Sequence, residues 1–248
     1  MIVIKSLKEI ERMKVPCTIV AEVLSRVAEA VKIGVTTLEL NSLAEKEVAR
    51  RKAKPAFKGY SGFPCALCCS LNDQVVHGVP NNYPLQNGDI ISLDFGAYYG
   101  GFFGDAAVTV PVGTVSQKVT DLISVTERSL CLAIKQAFEG NRLSDISNAV
   151  QVFVESKGYS VVRDFVGHGI GRNLHEQPQI PNYGLPHKGP KLRPGMVLAI
   201  EPMVNEKSYD VKVLADGWTA VTIDGGLSAH FEHTVAITEN GPEILTMI

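Results

Sequence analysis

Apolar and polar positions along this chain run twice through the same sequence of periods, a helical one followed by that of strands. In the first block Ile10, Met13, Ile19, Val20, Val23, Leu24 and Val27 mark one face of a helix. Ser6-Leu7-Lys8-Glu9 ahead of them reads as a capping box, predicting a helix from about Leu7 towards Val31. Pro16 falls inside it, where it removes a hydrogen bond and crowds the carbonyl of Arg12, so a kink is expected. Gly34 ends the helix, and Thr36-Thr37-Leu38-Glu39 opens a second one reaching about Lys52. The segment 55–64 is a loop rich in glycine and aromatics, 66–71 a short strand, and His77-Gly78-Val79-Pro80 a turn with His77 accessible. Residues 88–96 form an apolar strand that closes on Asp94, and 102–110 return as its partner carrying Asp105. With the turn centred on Tyr99 and Gly100, Asp94 would sit opposite Asp105, at the Cβ separation of about 4.5–5.5 Å typical of cross-strand neighbours.

The second block repeats the order. Helices are predicted over 116–139 and 144–157, the latter with Ser144 as N-cap. Strands follow over 160–164, 196–203, 211–214, 218–223, 230–238 and 243–247, with a polar Pro- and Gly-rich stretch over 176–194 that places His187 on the surface. Gly88 precedes Asp94 by six residues and Gly195 precedes Glu201 by six, with apolar filling in both. Asp105-Ala106-Ala107-Val108-Thr109-Val110 likewise parallels Glu232-His233-Thr234-Val235-Ala236-Ile237. This self-similarity points to two related α/β units sharing one curved antiparallel sheet, with the four acids brought together at its centre.

Composition narrows the class. At 45% hydrophobic and 20% charged residues, the 248-residue chain has material for a sizeable globular core. A net charge of −2 argues against a nucleic-acid surface, and no apolar run approaches the roughly 20 residues of a membrane span. Met1-Ile2-Val3-Ile4-Lys5 lacks the plan of a secretory signal, so a cytoplasmic location is expected. Cys65-Ala66-Leu67-Cys68 has no second pair to complete a zinc site. Reduced thiols are expected, with Cys68 available to line a pocket.

The chemistry concentrates in Phe165-Val166-Gly167-His168-Gly169-Ile170-Gly171, one imidazole among glycines. Glycines there allow positive φ and close approach of another group, which suits a presented His168 better than a packed one. A lone histidine is more often a satisfied core residue, and a lone strand-end acid is more often solvated. Asp94, Asp105, Glu201 and Glu232 all lie on apolar strands, however, and taken with His168 they favour a metal site. Oxygen-rich ligands with a single nitrogen suit divalent Mn, Fe, Co or Zn. Four carboxylates exceed the charge of one divalent ion, and a pair of ions about 3.5–4 Å apart, sharing a water of lowered pKa, balances them.

The residues Phe165-x-Gly-His168-Gly-Ile-Gly-x-x-x-His175, Ile180-x-Asn182-Tyr183, Asp94-x-Gly96, Gly104-Asp105-Ala106-Ala107, Ala199-Ile200-Glu201-Pro202 and His230-Phe231-Glu232-His233-Thr234 resemble the motifs of type I methionine aminopeptidases of the bacterial kind. The resemblance covers nearly the whole chain. It implies an α+β pita-bread (creatinase/aminopeptidase) fold in a single catalytic domain over 1–248, a curved antiparallel sheet with helices on its outer face in two pseudo-symmetric halves. It further implies removal of N-terminal methionine ahead of a small second residue, with a hydroxide bridging two divalent ions (Co, Mn, Fe or Zn) as nucleophile and a monovalent cation as an additional expected ion.

By position, the resemblance makes Asp94, Asp105, His168, Glu201 and Glu232 the metal ligands, Asp105 and Glu232 bridging. His77 and His175 become substrate-binding and catalytic histidines, Glu201 the proton shuttle, and Tyr60, Phe63, Cys68 and Trp218 pocket residues. Phe57 stands where some members have Cys and Leu174 where some have Phe. The implied partners are N-terminal methionines of nascent proteins, met in transient association with the ribosome by a monomer; neither nucleic acid nor membrane is a substrate. The alternatives are a proline-directed pita-bread peptidase, which usually carries a large extra N-terminal domain, and a non-enzymatic pita-bread binding module, which typically lacks some of the five ligands.

Overall fold

Both predicted capping boxes form in the computed structural model, which describes residues 1–247. Ser6 Oγ accepts from Glu9 N while the Glu9 carboxylate accepts from Ser6 N, and Thr36 and Glu39 repeat the exchange. The first opens α1 (Leu7–Glu29), which stays one helix through Pro16, and the second opens α2 (Thr37–Arg50). In the second half α3 (Gln117–Ile134) is followed by α4 (Leu143–Ser156). Ser144 is not the cap of α4. The Asp145 carboxylate accepts from Arg142 N, and the Ser144 hydroxyl instead donates to Lys188 O.

The strands are β1 (Lys54–Pro55), β2 (Leu67–Leu71), β3 (Gln74–Val76), β4 (Ile90–Tyr99), β5 (Phe102–Pro111), β6 (Ser160–Val161), β7 (Gly167–Gly169), β8 (Glu176–Ile180), β9 (Val197–Ile200), β10 (Met203–Asn205), β11 (Val211–Val213), β12 (Ala220–Thr222), β13 (Ser228–His230), β14 (Glu232–Thr238) and β15 (Gly241–Ile244). The main sheet runs β1-β4-β5-β14-β9-β7-β8, with β2 beside β4 and β15 beside β14. Small sheets β13-β10-β6 and β11-β12-β3 flank it. The chain crosses from the first half to the second over residues 112–116, between β5 and α3.

Alternation along the strands divides the two faces of the sheet. Ile91, Leu93, Phe95 and Ala97 of β4 and Ala106 of β5 pack with Val20, Leu24 and Leu40 of α1 and α2. Leu198, Ile200, Val235 and Ile237 pack with α3 and α4. Each buried Val, Leu, Ile or Phe among them contributes about 1.5–3 kcal/mol. Residues of opposite parity, among them Asp94, Asp105 and Glu232, are thereby turned away from these helix-covered clusters.

The β4–β5 hairpin closes on Gly100-Gly101, whose φ values of 59° and 90° are those of a two-residue primed turn. This shifts the expected register. Asp94 faces Ala107 and Asp105 faces Gly96, so the two acids are diagonal neighbours on one face rather than a direct pair. In the second half, the strands expected over 196–203 and 230–238 are each split. Pro202 has no N–H for the ladder, so β9 ends at Ile200 and β10 restarts at Met203, while Phe231 separates β13 from β14. Ile200 faces His233 and Met203 faces His230, one register on both sides of the gap, so Glu201 falls opposite Glu232.

Within the main sheet the halves meet at β5–β14, where only Glu232–Ala107 and His233–Ala106 pair formally, and β3–β12 joins them again in a small sheet. A threonine hydroxyl flanks each end of the β5–β14 pairing. Thr234 Oγ1 accepts from Asp105 N at 3.1 Å and donates to Asp105 O at 2.8 Å. Thr109 Oγ1 accepts from His230 N at 2.9 Å and donates to His230 O at 2.8 Å.

Candidate metal centre and substrate pocket

Two rows of side chains cross the face of the sheet turned away from those clusters. Gly96, Asp105, Thr234, Ala199 and His168 form one, from β4 through β5, β14 and β9 to β7. Asp94, Ala107, Glu232 and Glu201 form the next. Gly96 makes room for its neighbours, since a Cβ there would stand 2.8 Å from a Phe57 ring carbon and 3.3 Å from Asp105 Oδ1. The glycines around His168 serve close packing, since neither Gly167 nor Gly169 takes the left-handed conformation. A Cβ on Gly167 would stand 2.5 Å from Ala199 O, and one on Gly169 would stand 2.2 Å from Gln177 O.

All five side chains line a single cavity of about 360 Å³. His168 Nε2 lies 3.6 Å from Glu201 Oε1, and its Nδ1 bonds Gly169 O at 2.9 Å, which leaves Nε2 as a free lone pair. Burial pushes the Asp94 carboxyl up to about 7 and those of Asp105, Glu201 and Glu232 well above the ordinary range, with repulsion from neighbouring acids adding at Asp105 and Glu232. Burial also pulls His168 down to about 3. Asp94 Oδ1, Asp105 Oδ1 and Glu232 Oε1 are buried with no hydrogen-bond donor among the described residues. Acceptor oxygens left this way are costly, and divalent cations satisfy them. The donor set fits such ions: ligand atoms of Asp105, His168 and Glu232 lie within 4.8 Å of one another, as do those of Glu201, His230 and Glu232.

Residues 11–239 match the model of metallopeptidase family M24. The chain belongs to that family. The methionine aminopeptidase of Clostridium perfringens is 54% identical over 248 residues, spanning 100% of both chains. The crystal structure of the methionine aminopeptidase from Thermotoga maritima superposes with a TM-score of 0.98 at 51% identity, again over all of both chains. The prolidase from Pyrococcus horikoshii OT3 shares the fold alone, at a TM-score of 0.81 and 24% identity, over 99% of this chain and 63% of its own. The architecture is the pita-bread α+β fold, and M24 membership makes this a metallopeptidase with a divalent-metal requirement.

The M24 site opens beside the acids into an apolar pocket. Phe63 and Trp218 meet edge to face at 5.2 Å, and Cys68, Phe57 and Leu174 are among the other lining residues. Burial holds the Cys68 thiol far above its usual range, so it stays protonated. His77, expected to be accessible, is half-buried, with its ring set edge-on against Phe165 at 5.4 Å. Burial lowers it to about 4, and it is neutral at pH 7. His175 is exposed at the mouth, 4.3 Å from the His168 ring, and its Nδ1 bonds Tyr60 OH at 2.7 Å.

Three residues that the sequence places in motifs without a role contribute here. His230 lies buried beside Glu201, Asn182 Nδ2 donates to Glu201 O at 3.0 Å, and Phe165 forms part of the pocket wall. The parity of His230 with Glu232, two positions on along neighbouring strands, is the signal that could have found it.

Proposed function

We propose that this M24 enzyme removes the N-terminal methionine from peptides and proteins with a small second residue, residues 1–248 acting as one catalytic unit. Asp94, Asp105, His168, Glu201 and Glu232 hold two divalent ions in this reading. When bound, such ions supply a water of lowered pKa and Lewis-acid polarisation of the scissile carbonyl. The methionine side chain fills the apolar pocket of Phe63, Cys68, Trp218 and Tyr60, and excludes water there. Glu201, ionised when it helps to hold the cations, takes a proton from the attacking water and passes it to the leaving amine. His175 Nδ1 and Tyr60 OH share a hydrogen bond of 2.7 Å; in this reading the hydroxyl is the donor, and His175 Nε2–H donates to the carbonyl oxygen as charge develops. His77, kept neutral, hydrogen-bonds the peptide on the other side of the scissile bond.

The observation that carries this reading is the adjacency of three donor-less buried carboxylate oxygens to the apolar side chains of Phe63, Cys68 and Trp218 in one cavity. The natural substrates are nascent chains, met transiently at the ribosome by a cytoplasmic monomer; no helix among the described residues is long and apolar enough to cross a membrane. Turnover of Met-Ala-x, Met-Leu-x and Xaa-Pro peptides by metal-free protein titrated with Mn, Fe, Co or Zn tests it. Cleavage of Met-Ala-x well above the others is expected. Preference for Xaa-Pro, the proline-directed alternative, would overturn it.

A further inference from the structure

The mechanism above leaves His230 unused, although it is the most buried imidazole on the site face, 1% exposed against 8% for His168. Its Nε2 has no hydrogen-bond partner and lies 3.7 Å from Glu201 Oε2. His168 Nε2 stands 3.6 Å from the other oxygen of the same carboxylate. One imidazole therefore flanks each oxygen of Glu201, and the two rings are held differently. The bond from His168 Nδ1 to Gly169 O fixes the tautomer that offers Nε2 as a ligand. For His230, Thr109 pins the main chain at both its N–H and its C=O, and Ser92 supports the Thr109 hydroxyl at 2.8 Å. Neither ring nitrogen of His230 is bonded among the described residues, so the ring is placed while its tautomer is free. A lone pair aimed at a carboxylate oxygen is repelled, whereas an N–H is attracted.

We propose that His230 is a positioning residue for Glu201, its Nε2–H donating to Glu201 Oε2 and turning the other oxygen towards the cations and His168. The present separation exceeds a hydrogen bond and closes to one with a sub-ångström shift of the carboxylate. The role of Glu201 in turnover rests on the function proposed above; the arrangement of its carboxylate for cation binding does not.

The test uses H230L, which removes the donor, H230Q, whose amide restores one, and H230N, whose amide is drawn back. Co(II) is titrated into each metal-free protein by calorimetry and by absorption of the bound ion, and kcat and KM are measured on a Met-Ala-x peptide. H230L and H230N are expected to bind as many Co(II) ions as the parent with about 10–100-fold weaker affinity, the usual loss for an outer partner of a ligand. Their kcat falls comparably while KM is unchanged, and H230Q recovers both. If H230L does not fold, H230N carries the same comparison.

Parent-like affinity and kcat in H230L and H230N would overturn the proposal. So would loss of one Co(II) equivalent with an altered spectrum in all three variants, which would make His230 a ligand. Failure of H230Q to recover, with stoichiometry kept, would do so too, since packing and not the donor would then be what matters. Absence of Met-Ala-x turnover in the parent would sink the proposed function while leaving the Co(II) comparison readable.

Discussion

The two halves present their acids by different constructions. Asp94 and Asp105 belong to one hairpin of two uninterrupted ten-residue strands, closed by Gly100-Gly101, and sit diagonally on it. Glu201 and Glu232 are 31 residues apart in sequence and stand face to face where the ladder parts at Pro202 and Phe231. His168, His175 and His230 also come from this second half. The difference teaches a division of labour. One half carries its carboxylates on a continuous hairpin, and the other at a break in the ladder, with an imidazole 3.6–3.7 Å from each oxygen of Glu201.

The strongest way to break this picture is to remove one acid from each half. D105A and E232A are each expected to lower kcat on a Met-Ala-x peptide by about 10³-fold or more, since several kcal/mol of metal stabilisation at 1.36 kcal/mol per decade is lost. Near-parental turnover in either variant would show that one half suffices.

Metal removal comes next. The four buried carboxyls have folded values above those of the unfolded chain, so as pH rises past about 4 the unfolded state loses protons that the fold retains. Metal-free protein should therefore lose stability from about pH 4 up through the Asp94 value of about 7, and the stabilisation by added Mn(II) should grow over that window. Urea midpoints at pH 5 and 7.5, with chelator and with Mn(II), measure it; a metal effect equal at both would sink the idea.

A smaller effect sharpens the link between the halves. Y60F removes the hydroxyl on His175 Nδ1, and kcat is expected to fall about tenfold, as for loss of a group that orients another, with metal content unchanged. The smallest effect tests the hairpin. G101A puts a side chain at φ 90° and should cost about 1–2 kcal/mol in urea unfolding while kcat stays near the parent value.

Much of this architecture is legible in the sequence because apolar strands carrying acids announce both a covered face and a costly one. The capping boxes at Ser6 and Thr36 are equally plain, being local. What escapes is what depends on register and burial. The hairpin centre moves by one residue because Gly100 and Gly101 both tolerate the left-handed turn, and this slides Asp94 past Asp105. Pro202 is visible as a strand-breaker, yet only the unbroken register around it shows why a break there sets Glu201 against Glu232. His77 reads as a turn residue until Phe165, distant in sequence, packs against it. His230 reads as a strand residue because nothing local reveals that Thr109 fastens its backbone and leaves its ring bare.

The chain's passage from one half to the other over 112–116 has a practical outcome. Each side of that link has a helix-covered apolar cluster, and the halves are joined by a third cluster drawn from both (Met13 and Phe102 with Ile170, Val197 and Ala236), by the β5–β14 and β3–β12 pairings and by the hydroxyl bridges. A chain cut there should therefore stay together as a two-piece assembly that keeps its peptidase activity.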